Sequence, residues 1–274
     1  MTKKELNDIF EAIYLGVITL DNLPDELYMH YASVLQKAVN KGYGGSLKKY
    51  EVASREWTLL NHFRENVNIF SGAKTFQQIK DSQNFILDQQ GSLRPFNDYL
   101  SDVRKVDALY RESWLMTEQT TAIAQGQGAR KWMDIEKNKD ILPFVIFRTQ
   151  KDGRVRDEHA ALEGFTARVD DPVWDSLTPP IDWNDRCYLE QTEDSTVTTY
   201  EEKNEILKQM NTTTGGNAKR LQDIPPKLFR MNPAKDKIIF KNDGIGSHPY
   251  FKVDQAYEVL KLNNFGVDIN YMID

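Results

Sequence analysis

The sequence holds a single cysteine, Cys187, in 274 residues. An internal disulfide is excluded and paired-cysteine zinc motifs cannot form, which fits a reducing bacterial or cytoplasmic setting. No run of about 18 apolar residues occurs, so no membrane-spanning helix is expected. The N-terminal stretch MTKKELNDIFEAIYLGVITLDNLPDELY carries acids throughout and lacks the apolar core of a signal peptide. Excess positive charge is missing too: with a formal net charge of −6, the overall field does not draw the chain to nucleic acid or anionic lipid, and any DNA contact needs a local patch. No phosphate-binding loop, G-x-G-x-x-G, G-x-S-x-G or H-E-x-x-H sits in the structural context its chemistry requires. Nor is there an internal repeat. A soluble chain without a cofactor is expected.

What is present suffices for a core, since 40% of the residues are hydrophobic and 11% aromatic. Leu6, Ile9, Phe10 and Ile13 recur at helical spacing. After the break DNLPDE, the residues Leu27, Tyr31, Leu35 and Val39 mark one face of a second helix, which NKGYGGS closes with glycine. A third helix is expected over Tyr50–Phe63. Tyr99, Val103, Val106, Tyr110 and Trp114 give the longest periodic signal and predict a helix over residues 98–137. Its distal half carries Ala122, Ala124, Gly126, Gly128 and Ala129, which permit close approach of a neighbour although glycine weakens a helix.

The character changes at Asn138. ILPFVIFRTQKDGRVR reads as a hairpin, with a strand Phe144–Thr149, a turn at Lys151-Asp152-Gly153 and a return strand. One helical piece follows within TEDSTVTTYEEKNEILKQMNTTTGGNAKR, then a strand in DKIIFKNDG and a short helix around Asp254–Leu262. The expected class is α+β: a helical N-terminal half with a long amphipathic helix, then a mixed half of short strands with a Pro/Trp-rich loop.

Several side chains invite a chemical reading. Cys187, His159 and His248, with Asp170, Asp171 or Asp185, offer the donor types zinc accepts, but no local ligand pairing supports a metal, and a buried structural role is the plainer expectation. A nucleophilic pair of Cys187 and His159, oriented by Glu158, lacks a helix N-terminus to activate the thiol. The run RVRDEH (Arg154, Arg156, Glu158, His159) reads more readily as an ion-pair network pinning a loop than as an acid/base cluster. In DDPVWDSLTPP, the prolines Pro172, Pro179 and Pro180 stiffen a loop that Trp174 and Trp183 anchor. Between Lys219 and Lys241 seven cations (Lys219, Arg220, Lys227, Arg230, Lys235, Lys237, Lys241) face two acids, a patch suited to DNA phosphates or an acidic protein surface, or simply a solvated face.

As a spaced pattern, FRTQKDGRVRDEHAALEGFTARVDDPVWDSLTPPIDWNDRC resembles the signature of the phage Mu protein F-like family of head morphogenesis, or minor head, proteins. The pattern is R-T, a turn, R-V-R-x-E-H-x-x-L-x-G, then D-D-P-x-W, then P-P-x-x-W-x-x-R-C. It runs through Arg154, Arg156, Glu158, His159, Leu162, Gly164, Asp170, Asp171, Pro172, Trp174, Pro179, Pro180, Trp183, Arg186 and Cys187. Flanking segments extend the resemblance from about Leu23 to the end of the chain. One departure stands out: many relatives have a second cysteine where this chain has Asp185, so whatever a paired-cysteine site does there is in doubt here.

The resemblance implies an N-terminal helical region over 1–97 and a head-morphogenesis domain over 98–274, containing the long helix 98–137, the signature region 144–190 and the basic segment 219–241. It also implies a non-enzymatic virion component of a tailed phage or prophage, bound to the portal or major capsid protein at the capsid interior or portal vertex. Such proteins act in head assembly and are linked to DNA packaging or ejection; no metal or cofactor is implied. The alternatives are a thiol- or metal-dependent hydrolase using Cys187 and His159, and a phage-derived effector, although no stretch is left for a separate toxin domain.

Overall fold

Local capping and apolar spacing account for the first elements. Helix α1 (Lys3–Tyr14) starts at a capping box in which Thr2 and Glu5 bond reciprocally, and it buries Leu6, Ile9, Phe10 and Ile13. Helix α2 (Asp25–Tyr43) follows, with Leu27, Tyr31, Leu35 and Val39 all buried. The computed structural model describes residues 1–244 and 246–252; the helix expected around Asp254–Leu262 lies outside them. Helix α3 runs from Arg55 to Gln83, starting later and ending well beyond the expected Tyr50–Phe63. Buried Val67, Phe70, Ala73 and Phe76 carry it onward.

The long helix expected over 98–137 is present as α4 (Phe96–Ala108) and α5 (Leu115–Asn138), joined by a π-helical turn at Leu109–Trp114. Tyr99, Val103 and Tyr110 are buried as the spacing predicts, but Trp114 is 40% exposed. The wider π turn rotates every later position away from a 3.6-residue period, so the apolar stripe does not run straight through.

The chain divides into two compact units. The first holds residues 1–38, 63–119 and the C-terminal segment from His248; the second holds 39–62 and 120–247. Three of the boundaries fall inside α2, α3 and α5, and the fourth lies between Ser247 and His248.

The first unit is organised around a buried cation. The Lys74 ammonium lies 2.8 Å from the Glu118 carboxylate, with both side chains almost wholly enclosed. The rings of Tyr31, Tyr110 and Tyr250 surround it at 5.0, 5.2 and 5.4 Å. Tyr31 donates to Gln78, Gln78 donates to Asp107 at 3.1 Å, and Asp107 pairs with Arg111 at 2.8 Å. Burial pushes the Lys74 pKa down and the Glu118 pKa up, each opposed by the partner's charge.

In the second unit, a three-stranded antiparallel sheet has β1 (Phe144–Arg148) between β2 (Thr166–Arg168) and β3 (Tyr188–Thr192). The expected hairpin return at Arg154–Arg156 does not form. Arg156 instead caps a short helix, α6 (Asp157–Ala160), and the antiparallel partner of β1 arrives only at Thr166. Glu163 and Gly164 close this excursion. The Glu163 carboxylate accepts from the Thr149 amide at 2.7 Å, and Gly164, at φ +81°, donates to the Phe147 carbonyl. The strand expected in DKIIF is also absent: Ile239 and Phe240 are buried, but in irregular backbone.

Helix α7 (Tyr200–Thr214) has a Thr199/Glu202 capping box and ends at left-handed Gly215. A four-residue helix, α8 (Pro233–Asp236), is capped by Asn232. Trp132 and Ile135 of α5, Val145 and Phe147 of β1, and Leu162, Phe165 and Trp174 form the centre of the core.

The small residues of α5 serve internal packing. A Cβ on Gly126 would lie 3.0 Å from the Tyr43 amide nitrogen, and one on Gly128 only 2.4 Å from the Pro179 carbonyl oxygen. Gly128→Ala should therefore lower the melting temperature, losing about 1–3 kcal/mol to overpacking. Helix propensity alone would raise stability by about 1 kcal/mol, so the sign of the thermal shift decides.

His248, enclosed near Lys74, has a pKa pushed down to about 3, first by burial and then by the Lys74 charge. In the unfolded chain it titrates near about 6.5. The unfolded state thus binds more protons below that pH, and stability falls on acidification from about 6.5 toward 3 by up to about 1.4 kcal/mol per pH unit. Denaturation midpoints measured against pH should show a shallower acid dependence in His248→Gln.

Candidate functional site

The signature residues lie in the second unit, on α6 and the turns flanking it and in the loop from Val169 to Cys187 that leads into β3. Asp171 opens the loop by capping a 3-10 turn, its carboxylate accepting from the Val173 amide at 2.8 Å with Pro172 in the first turn. Trp174 is fully buried, donates its indole N–H to the Arg168 carbonyl at 2.8 Å, and meets Phe165 edge-on at 5.6 Å. Thr178 donates back to the Trp174 carbonyl, and buried Asn232 donates to the Thr178 hydroxyl. Pro179 and Pro180 are buried beyond it. Leu162 is fully enclosed in the core.

The charged residues tie the loop ends together. Arg156 donates to the Trp183 carbonyl at 2.7 Å and pairs with Asp182 at 3.3 Å, while Trp183 packs edge-on against Phe229 at 5.1 Å. Arg186 grips Asp152 through two bonds of 2.7 and 2.8 Å and holds that carboxyl well below the usual range. Arg154 and Asp170 are exposed, the latter beside Arg168 at 3.0 Å.

Beneath this surface, His159, Asp185 and Cys187 come together. His159 Nδ1 lies 3.1 Å from Asp185 Oδ1 and 3.6 Å from Cys187 Sγ. Asp185 Oδ1 also accepts from the Cys187 amide at 2.9 Å, and Oδ2 accepts from the Ile181 amide at 2.9 Å. Burial opposes ionisation of Asp185, but these hydrogen bonds outweigh it and its pKa is lowered. Burial pushes the Cys187 thiol up strongly, and the Asp185 charge adds to the effect. The three side chains border a cavity of about 330 Å³, together with Gln150, Arg154, Arg156, Asn184 and Arg186.

Glu158, the acid expected to orient His159, does not sit with the thiol; it forms a second group with His159 and Asp182. Asp185 holds that place. His248 packs against Phe70 and Tyr250 in the first unit, at ring separations of 4.8 and 4.5 Å. Glu163, Gln150 and Asn232 have no motif of their own, and only their long-range bonds reveal them.

The basic segment is partly consumed internally. Arg220 and Arg230 both reach Asp223 at 3.3 and 3.4 Å, Lys235 pairs with Asp175 at 2.6 Å, and Lys241 donates to the Arg230 carbonyl. Lys219, Lys227 and Lys237 are exposed.

A thiol in this setting should be inert. Iodoacetamide should modify Cys187 in the folded protein at least about tenfold more slowly than in the urea-unfolded chain at neutral pH. Equal rates, read by intact mass, would contradict the burial argument.

Residues 65–190 match the family model described as Phage Mu protein F like protein. The matched region is narrower than the resemblance from about Leu23 onward had implied. A Mu-like prophage FluMu F protein of Haemophilus influenzae is 38% identical over 72 residues, covering 26% of this chain and 17% of that protein. The putative capsid assembly protein F of Escherichia phage Mu is 35% identical over 60 residues, covering 22% of this chain and 14% of that protein. The chain thus matches less than a fifth of the length of either relative. No solved structure matches significantly. The spaced pattern of residues 147–187 and the family match agree in what they resemble: residues 65–190 of this chain are similar to the family described as Phage Mu protein F like protein.

Proposed function

We propose that this chain is a non-enzymatic minor head protein of a tailed phage or prophage. It binds the portal or major capsid protein during head assembly and acts in DNA packaging or ejection. It resides at the capsid interior or portal vertex of the virion, after assembly in the host cytoplasm. The family match over residues 65–190 carries this reading, and the name of the phage Mu relative, a putative capsid assembly protein, supports it. The internal bonding of the signature adds to it: Trp174 is packed in the core, Asp185 and His159 are buried and in contact with each other, and the Cys187 thiol is not activated. No helix among the described residues is long and apolar enough to cross a membrane.

The α4–α5 region supplies the protein contact, though not through its small residues. Ala122, Gly126 and Ala129 are already buried, Gly126 against Val39, Gly42 and Tyr43. The exposed apolar side chains Leu109, Trp114 and Met116 offer the surface instead, at 48%, 40% and 65% exposure. Lys219, Lys227 and Lys237 are exposed cations that can face packaged DNA, beside the exposed but paired Arg220 and Lys235.

Mass spectrometry of purified particles should find the chain in the head at a few copies. Leu109→Glu combined with Met116→Glu should reduce co-purification with the portal protein at least about tenfold. Particles lacking the chain would sink the virion assignment, and undiminished co-purification would sink the proposed surface.

A further inference from the structure

We infer that His159, Asp185 and Cys187 form a binding site for a single zinc-class divalent cation. The sequence offers no paired ligands, and the chain folds an imidazole, a carboxylate and a thiol together from positions as much as 28 residues apart. One donor atom from each lies within 4.8 Å of the others. A lone thiol or an acidic cluster would not suffice; three different donor classes of the kind zinc takes converge here.

The distances fit the ion. At a tetrahedral angle, zinc bond lengths of about 2.05 Å to nitrogen, 2.1 Å to oxygen and 2.3 Å to sulfur set donor separations of about 3.4 Å for N–O and about 3.6 Å for N–S. The observed separations are 3.1 Å from His159 Nδ1 to Asp185 Oδ1 and 3.6 Å from Nδ1 to Cys187 Sγ. The nitrogen–oxygen pair needs only a few tenths of an ångström of outward movement, and the carboxylate oxygen and the sulfur lie within 4.8 Å of each other.

The surroundings are those of a built site. The His159 and Asp185 side chains are 5% and 1% exposed, and the turn before Cys187 is locked by the Ile181 and Cys187 amides bonding to Asp185. Those bonds orient the carboxylate and leave it a lone pair for an ion. Glu158 and Asp182 each bring a carboxylate oxygen within 4.8 Å of a ring nitrogen of the same imidazole, where an outer carboxylate would stand beside a ligating histidine. All three donors line the cavity beneath Arg154 and Arg186, so the fourth position opens to water. The missing second thiol does not count against the site, because Asp185 brings a carboxylate oxygen, itself a zinc donor.

The test uses the full chain, freed of metal with a chelator and then titrated with zinc chloride or cobalt chloride. About one zinc should be retained per chain after dialysis, and cobalt should give a tetrahedral d–d spectrum with a thiolate charge-transfer band. Cys187→Ser should abolish that band. Asp185→Asn and His159→Gln, checked for folding by circular dichroism, should weaken zinc binding by at least about tenfold. His248→Gln, in the first unit, should leave binding unchanged. A folded wild-type chain that retains no zinc, or one whose cobalt spectrum lacks the thiolate band, overturns the assignment. The wild-type spectrum decides even where a variant fails to fold. Neither result bears on the head-assembly reading, which particle composition tests separately.

Discussion

A single buried carboxylate holds the signature loop in place. Asp185 accepts from the amides of Ile181 and Cys187 and contacts the His159 ring, so it fixes the turn containing left-handed Asn184, the start of β3 and the position of α6 at once. Burying an unpaired carboxylate would be costly; here the hydrogen bonds outweigh desolvation and the group stays ionised more readily than usual. The pairs Arg156–Asp182 and Arg186–Asp152 close over it from the surface, where solvent screening limits their energetic weight and geometry is their main contribution.

Packing does the rest. The 3-10 turn after Asp171 drives Trp174 into a core shared with Phe165 and Trp132, and the loop then passes so close to α5 that only glycine fits at position 128. Gln191 links β3 to the end of α5 through the Ile135 carbonyl and to the turn before β1 through the Leu142 carbonyl. The stiffness anticipated from the prolines is thus joined to a specific contact. Residues of the spaced pattern that are separated in sequence become neighbours around one core, while no single residue in it announces a chemistry.

Local signals were legible in the sequence, and long-range ones were not. Leu6, Ile9, Phe10 and Ile13 lie on one turn-by-turn stripe, so α1 could be read directly. The extent of α4 and α5 could be read too, but the π turn at Leu109–Trp114 has no composition that betrays it. The hairpin was misplaced because Arg154-Val155-Arg156 alternates like a strand, whereas the real partner, Thr166–Arg168, follows an excursion closed by Glu163 and Gly164. The approach of Asp185 to His159 spans 26 residues, and the tyrosine cage around Lys74 draws on residues far apart in the chain. Neither leaves a local trace.

Asp185 organises residues 181–187, and native-state hydrogen exchange on Asp185→Ala tests this most directly. The expected result is that the amides of Ile181 and Cys187 lose their protection while those pairing β1 with β2 keep theirs. Wild-type protection at Ile181 and Cys187 in that variant would contradict it.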